Sequence, residues 1–236
     1  MYRRLPFFST MIAVSLLAGC ASTPNISLEK TSDPLNTLAL LHVAESQQFT
    51  VRNLSGLPAL GGAIGGAIAG ATEASRTKAF IEAYNTSTTR LSTALVGDLQ
   101  DALAREGKQV SYLPDQVAKL KNNADDYSHI STDKDAVLSV WFGPVGYIAD
   151  GVIDAPFEPW VIVHVRLLHR TTKQVISQKT YTGGYKAKLD GAVFVPCASE
   201  ARYSSFDQLM ANQAASVRAL AQCEQAIARK AAADLI

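Results

Sequence analysis

The side chains in this 236-residue chain with the chemistry for catalysis, metal binding or covalent linkage are three cysteines, four histidines and a loop group of carboxylates. His42, His129, His164 and His169 stand in no HExxH or similar register, so each reads as an isolated surface or core residue. Asp150, Asp154 and Glu158 share a loop with Pro156, Pro159 and Trp160. Paired carboxylates can do acid–base work or hold calcium, but DGVIDAPFE lacks the ligand spacing of a calcium loop and reads as a solvated one. No G-x-S-x-G occurs, and GGAIGG has no Lys-Ser/Thr ending, which leaves neither a nucleophile elbow nor a phosphate loop. The expectation is a protein that is not an enzyme, with no catalytic residue, metal or cofactor; a hydrolase whose cleft assembles only in three dimensions is one rival.

The cysteines are informative by position. Arg3 and Arg4 precede an uncharged apolar stretch from Leu5 to Gly19, the layout of a secretory signal and short for a spanning helix, which needs about 20 apolar residues. Its ending, Leu17-Ala18-Gly19-Cys20, resembles the lipobox of bacterial lipoproteins. That resemblance implies that residues 1–19 are removed, that the Cys20 thiol is acylated and heads the mature chain, and that Ala21, in place of Asp, directs it to the outer membrane. Several acyl chains anchor stably where one binds only marginally. Loss of Arg3 and Arg4 takes the formal charge from +1 to −1, so adhesion to anionic lipid is not expected. Residues 20–34, polar and proline-punctuated, read as a lipidated tether.

In an oxidising compartment the remaining pair, Cys197 and Cys223, predicts a disulfide, with two free buried thiols as the other reading. The pair has no metal-ligand spacing. A single helix from Ser204 would carry Cys223 about 28 Å along its axis, beyond the roughly 24 Å that the chain after Cys197 can reach, so the bridge requires a break, near Asn212.

Composition narrows the field further. With 47% apolar and 18% charged residues, and 22 basic against 21 acidic, the chain has material for a core and no field for nucleic acid. The most unusual segment, Leu54 to Thr72, carries no charge and places Gly62, Gly66 and Gly70 at four-residue spacing, with Gly61 and Gly65 beside them. On a helix these form one smooth face of the kind that lets two helices approach closely, in lipid or in a self-associated assembly. Ala59 to Thr72 makes about 21 Å of helix against about 30 Å of hydrocarbon, too short to span alone. A Gly-rich surface loop, or a helix lying against its own domain, is the competing reading. The segment resembles glycine-zipper stretches of small outer-membrane lipoproteins.

The elements that position these residues follow from hydrophobic periodicity. Leu35–Val43 reads as a buried strand. Glu73–Glu106 is helical through Phe80, Ile81 and Tyr84 and then Leu91, Leu95, Leu99 and Leu103, with the poor helix formers of 85–89 marking a break and Gly107 a stop. Lys108–Leu113 and Ala136–Phe142 read as strands, with a polar connection and a short helix between them, and Gly143, Pro144 and Gly146 point to a bulge or turn. Trp160–Leu168 alternates Val161, Val163, Val165 and Leu167 against Ile162, His164 and Arg166, and pairs antiparallel with Gln174–Tyr185. An apolar patch at 193–195 precedes a long terminal helix over 204–235.

This order, with the lipobox ahead of it and the loop Arg166-Leu167-Leu168-His169-Arg170-Thr171-Thr172-Lys173-Gln174-Val175 in the late hairpin, resembles a group of envelope proteins: the curli-secretion channel lipoproteins, the amino-terminal domain of the Tol-Pal translocation protein, and the lipoprotein activators of peptidoglycan synthases. The fold expected is α/β, a two-layer sandwich of a mixed, mostly antiparallel sheet with long helices on one face, plus a Gly-rich apolar helical insertion over 54–72 in a periplasmic domain over 35–236. Channel-forming members use long amphipathic membrane strands, whereas this insertion is Gly and Ala, poor strand formers. The function expected is a non-enzymatic outer-membrane lipoprotein, held by its lipid anchor and facing the periplasm, that self-associates as a homo-oligomer or docks an envelope protein assembly or secretion complex. A monomeric regulator of a cell-wall enzyme is the other rival. Cys20→Ser should abolish acyl incorporation and release the domain into the soluble periplasm; a variant that fractionates with membrane and still carries lipid would contradict the lipobox assignment.

Overall fold

The computed structural model describes residues 35–55, 62–151, 154–187, 189–197 and 201–235. It is a mixed α/β structure with one 7-stranded mixed sheet, a 2-stranded hairpin and four helices. In chain order the elements are β1 (Thr37–Leu41), β2 (Phe49–Asn53), α1 (Gly62–Thr86), α2 (Leu91–Arg105), β3 (Gln109–Leu113), β4 (Lys119–Lys121), β5 (Ala124–Asp126), β6 (Ala136–Ala149), β7 (Phe157–His169), β8 (Val175–Gly184), β9 (Val193–Val195), α3 (Phe206–Ala211) and α4 (Gln213–Asp234).

The sheet runs β3-β1-β6-β7-β8-β9, with β2 beside β6 off that path. β1 is apolar from Leu38 to Leu41 because both its faces are buried there: Leu38 and Leu40 join the main core, and Ala39 and Leu41 a smaller cluster with Tyr127, Ile130, Val137 and Leu168. Ladders β6–β7 and β7–β8 are long and antiparallel, whereas β1–β3, β1–β6, β2–β6 and β8–β9 are parallel. The sheet is therefore mixed as expected, but its parallel pairings outnumber the antiparallel ones. The alternation along β7 holds, since Val161, Val163, Val165 and Leu167 enter the main core with residues of α2 and α4.

Three sequence expectations change. The polar connection over 114–134 contains the hairpin β4–β5 instead of a short helix, turned by Asn122 and Asn123 at φ 52° and 61°, the left-handed region that asparagine tolerates. The strand β2, just five residues, has no counterpart among the expected elements. The glycine segment is not a separate insertion, because α1 runs unbroken from Gly62 into the part that was expected to be helical. The break between α1 and α2 falls at residues 87–90, overlapping the expected 85–89 but with Asn85 and Thr86 still helical, and the one between α3 and α4 falls at Asn212 as expected.

β6 carries the expected bulge, a register shift between Phe142 and Val145. Just beyond it, Gly146 pairs with Thr50 at φ 152°, where a Cβ would overlap the Thr50 carbonyl. Gly146→Ala combines strained backbone with a backbone clash, and it should lower stability by about 2–3 kcal/mol, or several degrees in melting temperature, with β2 losing amide protection first.

Candidate docking surface on helix α1

Helix α1 has two halves of different character. Its C-terminal half is rooted: Phe80 and Tyr84 are 1% and 2% exposed. Phe80 meets Tyr147 at 5.9 Å and Phe49 at 6.3 Å, Tyr84 meets Phe49 at 4.6 Å, and Arg76 lies 5.8 Å over Phe206 of α3. The Thr77 hydroxyl accepts the Val51 amide at 3.0 Å, so α1 satisfies a backbone donor of the strand beside it.

A second tie holds the root from below. The Glu45 carboxylate, from the β1–β2 connection, accepts the Tyr84 hydroxyl at 2.7 Å and the Ser92 hydroxyl and amide at 2.9 and 3.3 Å, while the Tyr84 oxygen accepts the Leu91 amide at 3.0 Å. Arg90, the residue before α2, provides no side-chain cap of its own. A carboxylate at the positive end of a helix is favourable, so Glu45 and Tyr84 together replace the missing cap. Burial and the Glu45 hydrogen bond push the Tyr84 hydroxyl far above its ordinary value, keeping it a donor.

The N-terminal half is different. Gly62, Gly65, Gly66 and Gly70 lie on α1, and Gly61 and Cys20 lie outside the described residues. Gly70 is exposed, and a Cβ built there would meet nothing within 4 Å. From Gly70 the helix borders an open groove of about 590 Å³ against the strand β2, lined by Thr50, Arg52, Glu73, Ala74, Thr77 and Ile81 among others. Its charges are paired along the rim, Arg52 with Glu73 at 3.3 Å and Lys78 with Glu82 at 3.9 Å. Among the described residues no helix is long and apolar enough to cross a membrane.

The other sequence candidates lie apart from α1. Asp150 accepts the Tyr185 hydroxyl, while Glu158, expected in a loop, lies in β7 and pairs with Arg202 at 3.0 Å, so these carboxylates serve separate partners. His42 contacts the Tyr112 hydroxyl, His129 the Val117 carbonyl, His164 the Thr180 hydroxyl at 2.9 Å, and His169 the Thr171 and Thr172 amides. Burial, with Arg166 nearby, lowers the pKa of His164 and favours neutral imidazole; its ring stacks on Trp141 at 5.1 Å. Arg166 donates to Asp125 at 2.6 Å, Tyr127 at 2.8 Å and Gln178 at 2.5 Å, and so fastens the β4–β5 hairpin to the sheet. Among the described residues no three His, Cys, Asp or Glu side chains gather as a metal site.

Three features escaped the sequence reading: the Glu45 cap, the groove beside β2, and Glu224, which is completely buried on α4. The last had a signal, since Glu224 sits four residues after Leu220 and three before Ile227, in an apolar register.

No protein-family model matches the sequence, and no curated protein matches it. Several solved structures are similar to this chain. A Xanthomonas campestris protein of the DUF330 family is 13% identical, with 89% of this chain and 87% of that one covered, at TM-score 0.41. A neuraminyllactose-binding hemagglutinin homolog from Helicobacter pylori is 12% identical, with 86% of each chain covered, also at 0.41. The PelC dodecamer from Paraburkholderia phytofirmans is 12% identical, with 86% and 96% covered, at 0.32.

Cys197 and Cys223 are joined as a disulfide, their Cα atoms 5.0 Å apart across 26 residues. The break at Asn212 separates α3 from α4, as the reach from Cys197 to Cys223 requires. Gly183 of β8 leaves it room, since a Cβ there would come within 3.1 Å of the Cys197 sulfur. Peptide mapping without reductant should recover the two cysteines joined, and the Cys197→Ala/Cys223→Ala double variant should lose about 3 kcal/mol in urea unfolding. Free thiols at both positions in folded, oxidised protein would contradict the bridge.

Proposed function

We propose that this chain is a non-enzymatic lipoprotein of the outer membrane, held through Cys20 and facing the periplasm, and that α1 is the element through which it self-associates within an envelope assembly. The observation that carries the reading is the asymmetry of α1. One half is rooted through Phe80 and Tyr84, while at Gly70 the other has no neighbouring atom where a side chain would be. A glycine at this position packed on its own domain would leave no such space, so the open space at Gly70 supports an external partner. Small residues let a second backbone approach to van der Waals distance, and the partner proposed is the same face of another copy.

Substitution separates this from a solvated helix. Relative to Gly, Ala or Leu in an exposed helix gains roughly 1 kcal/mol, whereas Leu in a close-packed seam pushes the helices apart. Gly66→Leu and Gly70→Leu should therefore lower the light-scattering mass of detergent-extracted, acylated protein while leaving its melting temperature unchanged or raised, with Thr72→Leu as the control. An unchanged mass in an oligomeric wild type would overturn the α1 interface, and a monomeric wild type would favour the regulator of a cell-wall enzyme.

A further inference from the structure

Glu224 lies in the middle of α4 with no exposed surface, and neither carboxyl oxygen has a hydrogen-bond partner. It belongs to the seam between α2 and α4, where the next residue, Gln225, donates to Asp98 of α2 at 3.1 Å. An ionised carboxylate cannot stay in such a place without a partner, because desolvation costs several kcal/mol. The groups that act on it are acidic: Glu45 from the β1–β2 connection and Asp98 from α2, with the Tyr84 hydroxyl of α1 also within its field. Asp98 is itself offset by Gln225, Arg229 and Arg105, and Glu45 is committed to Tyr84 and Ser92.

We propose that Glu224 is a proton-operated latch: carrying its proton, it lets α2 and α4 close over the Glu45–Tyr84–Ser92 junction, and losing it opens that seam and loosens the root of α1. The carboxyl is held well above the ordinary carboxylate range, first by burial and then by Glu45 and Asp98. The sign follows by linkage. Once opened to water Glu224 ionises with a pKa near 4.3, while the closed form keeps its proton, so each pH unit between the two values favours the open form by up to tenfold. The latch is tightest in acid, and its hold weakens steadily as pH rises towards the closed-state value. The device is independent of what α1 binds, so it stands or falls separately from the self-association proposal.

The test uses the full acylated chain. Amide exchange at Leu95 and Leu99, corrected for the intrinsic pH dependence, should show the opening constant of the wild type rising with pH from about 5.5 upwards, by up to tenfold per unit, with Glu224→Gln and Glu224→Leu flat over the same range. The carboxyl carbon shift of Glu224 should report a protonated group at pH 5.5, where a solvent-exposed glutamate is already ionised. An ionised Glu224 at pH 5.5, a pH-independent wild type, or a slope retained in both variants would each overturn the latch. Should Glu224→Gln fail to fold, Glu224→Leu and the wild-type carbon shift still decide it.

Discussion

One edge of β6 carries two parallel partners in succession, β1 along Ala136–Leu138 and β2 along Val145–Ala149, while the opposite edge is paired with β7 over nearly its whole length. A regular strand would hold one register throughout, so the shift between Phe142 and Val145 re-aims β6 between its two partners, and Gly146 supplies the close approach that β2 needs. The consequence propagates outwards. β2 lies alone beyond β6, and its Val51 amide points to no further strand, so a donor must be satisfied from outside the sheet. Thr77 of α1 does this, which fixes where the helix lies beside β2.

The root of α1 is built from long-range ties because the local sequence cannot supply them. The run Asn85-Thr86-Ser87-Thr88-Thr89 ends one helix, and Arg90 cannot cap the next. Glu45, remote in sequence, provides the negative charge at the first turn of α2 and holds the Tyr84 hydroxyl with its other oxygen. One carboxylate thus couples the β1–β2 connection, α1 and α2, and its charge adds to the burial that disfavours an ionised carboxylate at Glu224. The proton on Glu224 and the cap on α2 are two sides of one electrostatic arrangement.

What the sequence made legible follows from the range of the physics involved. β7 and β8 were readable because alternation and a short loop are local, and the helix breaks at 87–90 and Asn212 because propensity and chain reach are local too. The short strand β2 was not, since its partner lies far along the chain and Phe49-Thr50-Val51-Arg52-Asn53 alternates over too few residues to stand out. The β4–β5 hairpin was missed for a related reason: its strands are exposed and polar, and Asn122-Asn123 was the one signal of a left-handed turn. At α1 the glycine spacing was visible in advance, but which half would be rooted depends on Phe80 and Tyr84 meeting Phe49 and Tyr147, contacts that no window of sequence contains.

The same glycines that make α1 a candidate interface weaken it as a helix. Each costs about 1 kcal/mol relative to alanine in an exposed helix, and a short glycine-rich segment alone would not nucleate, since fixing the first turn is the unfavourable step. The rooted half removes that difficulty by supplying a turn already fixed by Phe80, Tyr84 and the Thr77 hydroxyl, from which the helix propagates one hydrogen bond at a time towards Gly62. In the proposed role, packing of a second helix on the glycine face then offsets the propensity deficit where it is greatest. Anything that loosens the root removes the nucleus as well as the anchor, so events at the Glu45–Tyr84–Ser92 junction reach the glycine face through helix continuity alone, with no separate pathway of contacts required.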